Sequence, residues 1–372
     1  MARVFGSNEL VEDVFEEDLC IGCGACVNLC PYYRNYLGKT ARLFPCDLAQ
    51  GRCYAFCPKA ELDLDALTRS FWNRSYDGSP LGNYRKILAA KAGKIMPKGL
   101  FQAGGSVSSL ITYTLKNNFI DAAVLTDRKG LTPVPRLVTD WQEVTQYASS
   151  KFMAAPTLSA LNDGTKEGYT RMGVVATPCQ MMAVAQMRTN PMAIEDFADP
   201  VAFTVGLFCN WSLDTRQLSA LLSEKIDLTG IRSMDIPPPP ADIMAFETAA
   251  GRVDIPLSEI KPIIPHTCFI CLDLTSEFSD VSIGMFEGRP GWNTLIIRSE
   301  KGAEYIEKAA QENYLELENM PQENIAHLSR AAAEKKQRAL RTLIRRGLIN
   351  TKDEDKRCAV RIPAEIVERI LN

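Results

Sequence analysis

The run Cys20-Ile21-Gly22-Cys23-Gly24-Ala25-Cys26-Val27-Asn28-Leu29-Cys30-Pro31 constrains this chain more than any other stretch. Three thiols at two-residue spacing, with a fourth just before a proline, have the spacing that wraps cubane iron–sulfur clusters. The intervening glycines let the backbone turn tightly and aim its N–H groups at the sulfurs. In such runs the fourth thiol, here Cys30, ligates a neighbouring cluster. A second run is therefore required, and Cys46, Cys53 and Cys57, the last followed by Pro58, supply it. Cys57 then completes the set of Cys20, Cys23 and Cys26.

The second run is irregular, because Cys46 and Cys53 enclose six residues and the middle thiol of a regular triplet is absent. Cys30, Cys46 and Cys53 are left for the other cluster. Three arrangements stay open: a three-iron cluster, a four-iron cluster completed by a ligand such as Asp47, or a cubane with one open iron. Zinc is the competing reading of the first run, but its spacing differs from the paired C-x2-C knuckles of structural zinc. Residues 1–82 thus read as a ferredoxin-like module that leaves through the turn-rich Tyr76–Gly82 stretch. Such a module has little core of its own, and metal bonds supply much of its folding energy.

A chain of 372 residues has room for two or three domains and at least one sizeable core. Its formal net charge of −3 argues against a general nucleic-acid binder. The start, Arg3-Val4-Phe5 followed by an acidic stretch to Asp18, has no apolar segment behind a basic one, so no signal peptide is expected. No run of 18 apolar residues suits a transmembrane helix. Twelve cysteines at cluster spacing without an export signal point to a reducing cytoplasm, with membrane contact only through a partner.

From Tyr84 onward short apolar runs alternate with amphipathic ones, the pattern of an α/β domain over residues 83–299. Gly104, Gly105 and Ser106 open a helix whose apolar positions, Val107 to Leu115, share one face. Strands are expected at Ile120–Thr126, Met172–Thr177, Val201–Phe208, Val281–Phe286 and Thr294–Arg298, most of them without alternation and so buried on both faces. Pro237 to Pro240 form an extended connector. Ile243–Glu247 and Arg252–Pro256, flanking Gly251, read as a hairpin. Residues 300–372 have a charged, helical pattern. There the basic cluster Lys335, Lys336, Arg338, Arg341, Arg345 and Arg346 reads as a solvated face.

Four more cysteines lie in the α/β part: Cys179, Cys209, Cys268 and Cys271. Cys179 and Cys209 directly follow expected strands, and strand C-termini are where open α/β sheets present ligands. Cys268 and Cys271 form a C-x2-C pair, with Asp273 just beyond. One further cluster on these four thiols is the economical reading. Buried free thiols beside a redox or zinc pair are the alternative. His266 and His327 are the only histidines, and His266 reads as packing beside the pair rather than as a ligand. No Gly-x-Gly-x-x-Gly follows a strand, which counts against direct Rossmann-type NAD binding.

The cysteine run, Gly104-Gly105-Ser106, Ser150-Lys151-Phe152, Thr177-Pro178-Cys179-Gln180, Gly206 to Cys209, Cys268-x-x-Cys271-x-Asp273, Ser282-Ile283-Gly284 and Gly291-Trp292 together resemble the beta subunit of coenzyme F420-reducing hydrogenases and F420-linked dehydrogenases. The likeness runs in order over residues 20 to 300. It implies one FAD, a cluster beside the flavin on Cys179, Cys209, Cys268 and Cys271, and ferredoxin clusters extending the relay. The same family includes the F420-coupling subunit of formate dehydrogenases, the input module of F420H2 oxidases and a ferredoxin-dependent chlorophyll reductase. The irregular second cysteine run and Phe152, where a tyrosine is expected, depart from the pattern.

Two to three [4Fe-4S] clusters are expected, with the [3Fe-4S] alternative left open by the irregular second cysteine run. Hydride would pass between FAD and coenzyme F420 or another two-electron substrate, with single electrons going to or from a ferredoxin or a partner redox subunit. FAD contacts are expected from Gly104, Gly105 and Ser106 through helix N-terminal N–H groups, from Ser150 and Lys151, and from Thr177, Pro178 and Gln180 beside the ring. Asp273 and Asp280 would orient a ring N–H or a ligand-bearing segment, or serve as ordinary caps. Two other functions are compatible with these residues: a ferredoxin-dependent reductase of a different organic substrate, and an electron-transfer adaptor without hydride chemistry.

Overall fold

The computed structural model describes residues 3–98, 101–238, 240–352 and 355–372. Its centre is an eight-stranded sheet. In chain order the strands are β1 (Lys86–Ala92), β2 (Ala122–Lys129), β3 (Thr132–Val138), β4 (Met172–Ala176), β5 (Val201–Leu207), β6 (Val281–Met285), β7 (Asn293–Ile297) and β8 (Leu315–Asn319). Their spatial order is β8-β1-β7-β6-β5-β4-β2-β3. The four middle strands, β6, β5, β4 and β2, run parallel, and the flanking pairs are antiparallel.

Each of the five expected strands is present, with ends within three residues of those expected. Strands β4 and β7 are buried at every position; for β4 this is what a parallel sheet covered on both faces produces. Three further strands are not marked by the sequence pattern. β3 carries Pro133 and Pro135, which cannot donate to a ladder and are tolerated because β3 is an edge strand. β1 and β8 mix lysine or glutamate with apolar residues, and they pair with each other at the opposite side of the sheet.

Three helices position the site: α1 (Ser106–Lys116), α2 (Leu158–Lys166) and α3 (Pro178–Arg188). The expected hairpin is present as Ile243–Thr248 paired with Gly251–Pro256, and Ile231–Asp235 adds a third strand to it. Of the connector Pro237–Pro240, Pro239 lies outside the described residues, and Pro237 and Pro238 have no regular structure.

The C-terminal region is helical but not separate. Helices α4 (Glu300–Gln311), α5 (Gln322–Arg345) and α6 (Ala364–Leu371) follow the sheet. Leu340 and Leu343 of α5 and Ile366 and Ile370 of α6 share one core with Leu10, Val14, Tyr33, Tyr54 and Leu64 of the N-terminal module. A small parallel sheet reinforces the union, in which Leu62–Asp63 pairs with Val360–Arg361, and that strand with Ile349–Asn350.

One sequence expectation is corrected here. Lys335 and Lys336 do not belong to a solvated face: they are 4% and 1% exposed. Arg338, Arg341, Arg345 and Arg346 do face solvent. The two lysines fall on the stripe formed by Ala332, Ala339, Leu340 and Leu343, so helical geometry turns them inward with the apolar residues.

Candidate functional site

The first cysteine run is hung on α2. Buried Asn162 donates from its amide nitrogen to the carbonyls of Gly24, Ala25 and Val27 at 3.4, 3.0 and 2.8 Å. Leu158 N donates to Cys23 O at 3.1 Å, and Asn28 donates to Asp163 at 2.7 Å. A tight loop leaves carbonyls without helical partners, and these bonds satisfy them. Gly24 has a φ of +87°, and a Cβ there would meet Pro156 O at 2.5 Å, so only glycine allows this approach.

Cys20, Cys23, Cys26, Cys53 and Cys57 line one small cavity together with Gly22, Gly24 and Lys59. Burial pushes the Cys57 thiol up to about 12, and Cys20 adds to the rise. Cys23 and Cys26 are pushed up by burial too, and then by the thiols Cys57 and Cys20 beside them. Cys53 is raised first by burial, with Cys30 and Cys46 contributing. Cys53 also acts on Cys26 and Cys57, so the N-terminal thiols gather in one region, with Cys53 between the first run and the thiols Cys30 and Cys46. Asp47 lies exposed on the loop that carries Cys46.

A cavity of about 760 Å³ runs across the C-terminal ends of the parallel strands. Ala176 and Thr177 after β4, Leu207 to Cys209 after β5, and Met285 and Phe286 after β6 form its floor. Cys179, Cys209, Cys268 and Cys271 line it, as do Gly105, Ser106, Ser150, Lys151, Thr177, Pro178 and Gln180. Three separate segments thus bring the four central thiols to one wall. Burial pushes Cys179 up to about 11, with Cys271 adding to the rise. Cys209 is raised by burial, opposed by Lys335 and reinforced by Cys179, Cys268 and Cys271.

Gathering thiolates in this way is unfavourable without a cation among them. Among the described residues no three His, Cys, Asp or Glu side chains converge on a single-ion position. At zinc, thiolates meet within about 4 Å of one another. A polynuclear cluster holds its thiolates further apart, because its irons and sulfides lie between them. Thiols gathered from separate segments, with backbone N–H groups beside them, are the kind of donor set that iron–sulfur clusters use. Backbone N–H groups already point at two sulfurs: Gly22 N at Cys20 Sγ, 3.4 Å, and Ser212 N at Cys268 Sγ, 3.5 Å.

The remaining expected residues divide by what they touch. Gly105 is the left-handed residue before α1, at φ +76°, and Gly104 O accepts from Ala92 N at 2.6 Å. Ser106 is 1% exposed, and its Oγ has no partner among the described residues. An orphaned hydroxyl at a helix N-terminus facing a large cavity fits an anionic or ribosyl ligand. Lys151 donates to Tyr147 O at 3.0 Å and Ser149 Oγ at 2.8 Å, and burial lowers it to about 8.

Gln180 is fully engaged in holding the Cys179 turn: its Oε1 accepts from Thr177 N and Oγ1, and its Nε2 donates to Ala155 O and Thr157 Oγ1. Pro178 is the first residue of α3, where its missing N–H costs nothing. Asp273 and Asp280 lie behind the wall. Asp273 accepts from Thr275 N and Glu277 N. Asp280 accepts from Thr204 N and Oγ1 and from Ser299 Oγ.

Sequence reasoning missed Asn293, whose Oδ1 accepts from Ser106 N at 3.2 Å while its Nδ2 donates to Gly284 O at 3.1 Å. Ser212, Lys59 and Lys335 were missed as well. Lys59 is buried, lines both cavities and donates to Thr267 O at 3.3 Å. Lys335 donates to Cys209 O at 2.6 Å and Asp273 O at 2.7 Å. Burial alone would lower Lys335, but Cys271, Cys209 and Asp273 hold it above its ordinary value. The signal for Lys335 was its place on the apolar stripe of α5.

Comparison with known proteins gives three family matches: coenzyme F420 hydrogenase/dehydrogenase, beta subunit N-term, over 87–162; the C terminus of the same subunit over 169–323; and a 4Fe-4S binding domain over 13–33. The coenzyme F420 hydrogenase subunit beta of Methanococcus voltae is 30% identical, over 65% of this chain and 86% of its own length. An F(420)H(2) dehydrogenase subunit of Methanosarcina mazei is 27% identical, over 81% of this chain and 85% of its own. Among solved structures, a chain of the F420-reducing [NiFe] hydrogenase complex from Methanosarcina barkeri superposes with a TM-score of 0.65 at 26% identity, covering 72% of this chain and 94% of that one. Among the described residues no helix is long and apolar enough to cross a membrane.

Proposed function

Because this chain belongs to the coenzyme F420 hydrogenase/dehydrogenase beta subunit family of iron–sulfur oxidoreductases, we propose that it exchanges hydride between coenzyme F420 and an FAD in the 760 Å³ cavity, and passes single electrons to or from a partner subunit. The observation that carries this reading is a single cavity whose wall holds both the flavin-suited residues and the four central thiols. Bound FAD supplies the conversion between paired and single electrons, and iron–sulfur clusters accept the electrons one at a time.

The chain's own residues prepare that site. Ser106 Oγ and the first turn of α1 offer donors to the FAD phosphates or ribose, and Lys151 offers a cation. Gln180 fixes the turn that presents Cys179. Lys59 lies between the Cys20/23/26/57 set and the central set, within one buried side chain of both. The N-terminal module is thereby joined to the central cavity through a buried side chain, and residues 1–82 form the electron port of the protein.

Anaerobic purification with flavin extraction and iron counting tests the cofactors first; absence of FAD after reconstitution defeats the hydride reading. Stopped-flow mixing with reduced F420 tests the substrate. Bleaching of the flavin by F420H2 would be absent, with FAD and clusters intact, if the substrate is a different two-electron donor.

A further inference from the structure

The matched C-terminal family model ends at residue 323, and α5 begins at 322. This helix nevertheless forms one wall of the central cavity, through Leu328, Ala331 and Lys335 among others. The two adjacent lysines on its buried stripe have different surroundings. Lys336 is neutralised by Glu277. Lys335 is not: both of its hydrogen bonds among the described residues go to carbonyl oxygens, those of Cys209 and Asp273. An ammonium withdrawn from water without a carboxylate is unfavourable unless another anion compensates it. Its two carbonyl partners belong to Cys209 and to Asp273, two residues beyond Cys271, so the ammonium is held against the backbone that carries two of the central thiols.

We propose that Lys335 is a fixed cation supplied by α5 that raises the reduction potential of the iron–sulfur cluster on Cys179, Cys209, Cys268 and Cys271. The inference rests on the reading of those four thiols as cluster ligands. Reduction adds one electron and one negative charge to the cluster. A neighbouring ammonium in a water-poor wall stabilises that added charge more than it would in water. Lys335 keeps its proton before and after, so the step moves an electron and no proton. The consequence is directional, because electrons are drawn from the flavin part of the cavity toward its sulfur-lined wall. Lys335 is a positioning residue and touches no substrate.

The test uses the full chain, purified anaerobically, with Lys335→Met, Lys335→Gln and Lys335→Arg compared with the parent by an EPR-monitored redox titration. Both neutral variants should show the central cluster at a more negative midpoint. The expected shift is at least a tenfold fall in the reduced-to-oxidised ratio at fixed potential, which for one electron is about 59 mV. Lys335→Arg should stay near the parent. Full iron content with an unmoved midpoint in either neutral variant overturns the proposal. If the neutral variants lose iron and Lys335→Arg keeps it, Lys335 is a tie between the Cys209 and Asp273 segments rather than a tuning charge, and the proposal also fails. Loss of iron from all three assigns Lys335 to packing and defeats the proposal in the same way. Failure of the underlying reading is separable: Cys271→Ser would then retain all the iron of the parent.

Discussion

Lys336 Nζ and Glu277 Oε1 lie 2.5 Å apart with both side chains almost wholly withdrawn from solvent. Tyr76 OH accepts a further bond from the same nitrogen at 3.0 Å. Burial opposes the ammonium, but Glu277 and Tyr76 outweigh it and hold Lys336 charged. The pair connects α5 to the exit of the N-terminal module and to the segment after Cys271. Removing one partner strands a buried charge, which costs about 3–5 kcal/mol. Lys336→Met is therefore expected to lower the apparent denaturation midpoint strongly. Lys336→Met combined with Glu277→Gln should recover part of the loss, as read by anaerobic denaturant titration.

Asn162 holds three carbonyls of the first cysteine loop. Asn162→Ala leaves them without that donor, at a cost of about 1–3 kcal/mol, which falls on the loop that bears Cys23 and Cys26. Iron should leave the Cys20/23/26/57 set faster in the presence of a chelator, while iron on the central thiols leaves at the parental rate. Equal acceleration at both sites would contradict the local role of this side chain.

Lys151 gives a pH signature. Its value of about 8 in the fold lies below the usual value of about 10.4, so the charged form is disfavoured in the fold and stability rises as pH climbs from about 8 toward 10. Attraction of FAD phosphates has the opposite sign, because only the protonated form supplies it. FAD affinity should fall as pH rises through 8 and above, a bound anion shifting the fall upward. Lys151→Met should weaken binding at pH 7 by roughly tenfold and flatten that dependence, both measurable by flavin fluorescence.

Cys271→Ser and Cys57→Ser should each lower iron by about four per chain if each removes one cubane. The two losses should be independent, since the thiols belong to different sets. Iron analysis of the single and double variants checks this.

Much of the sheet was legible because buried parallel strands are written as uninterrupted apolar runs, as in Met172–Ala176. The flanks were not: β1 and β8 carry charge, β3 carries two prolines, and only pairing with neighbours makes strands of them. The gathering of thiols was legible from spacing at the N-terminus and, for the central four, from their positions after strands. The lysines were misread because a count of charges ignores the helical face on which they sit. Asn293 and Ser212 act on loops distant in sequence, and no local pattern marks them.

The strand Leu62–Asp63 finds its only partner at Val360–Arg361 among the described residues. During synthesis the N-terminal module therefore leaves the ribosome long before the strand and helices that close its core exist. Until then its apolar side, Leu10, Tyr54 and Leu64, lacks the part of its cover that Leu340, Leu343, Ile366 and Ile370 supply. A chain cut short before α5 is expected to emerge as a sticky, chaperone-dependent fragment, so that stable loading of the first cluster waits until Val360–Arg361 has been made.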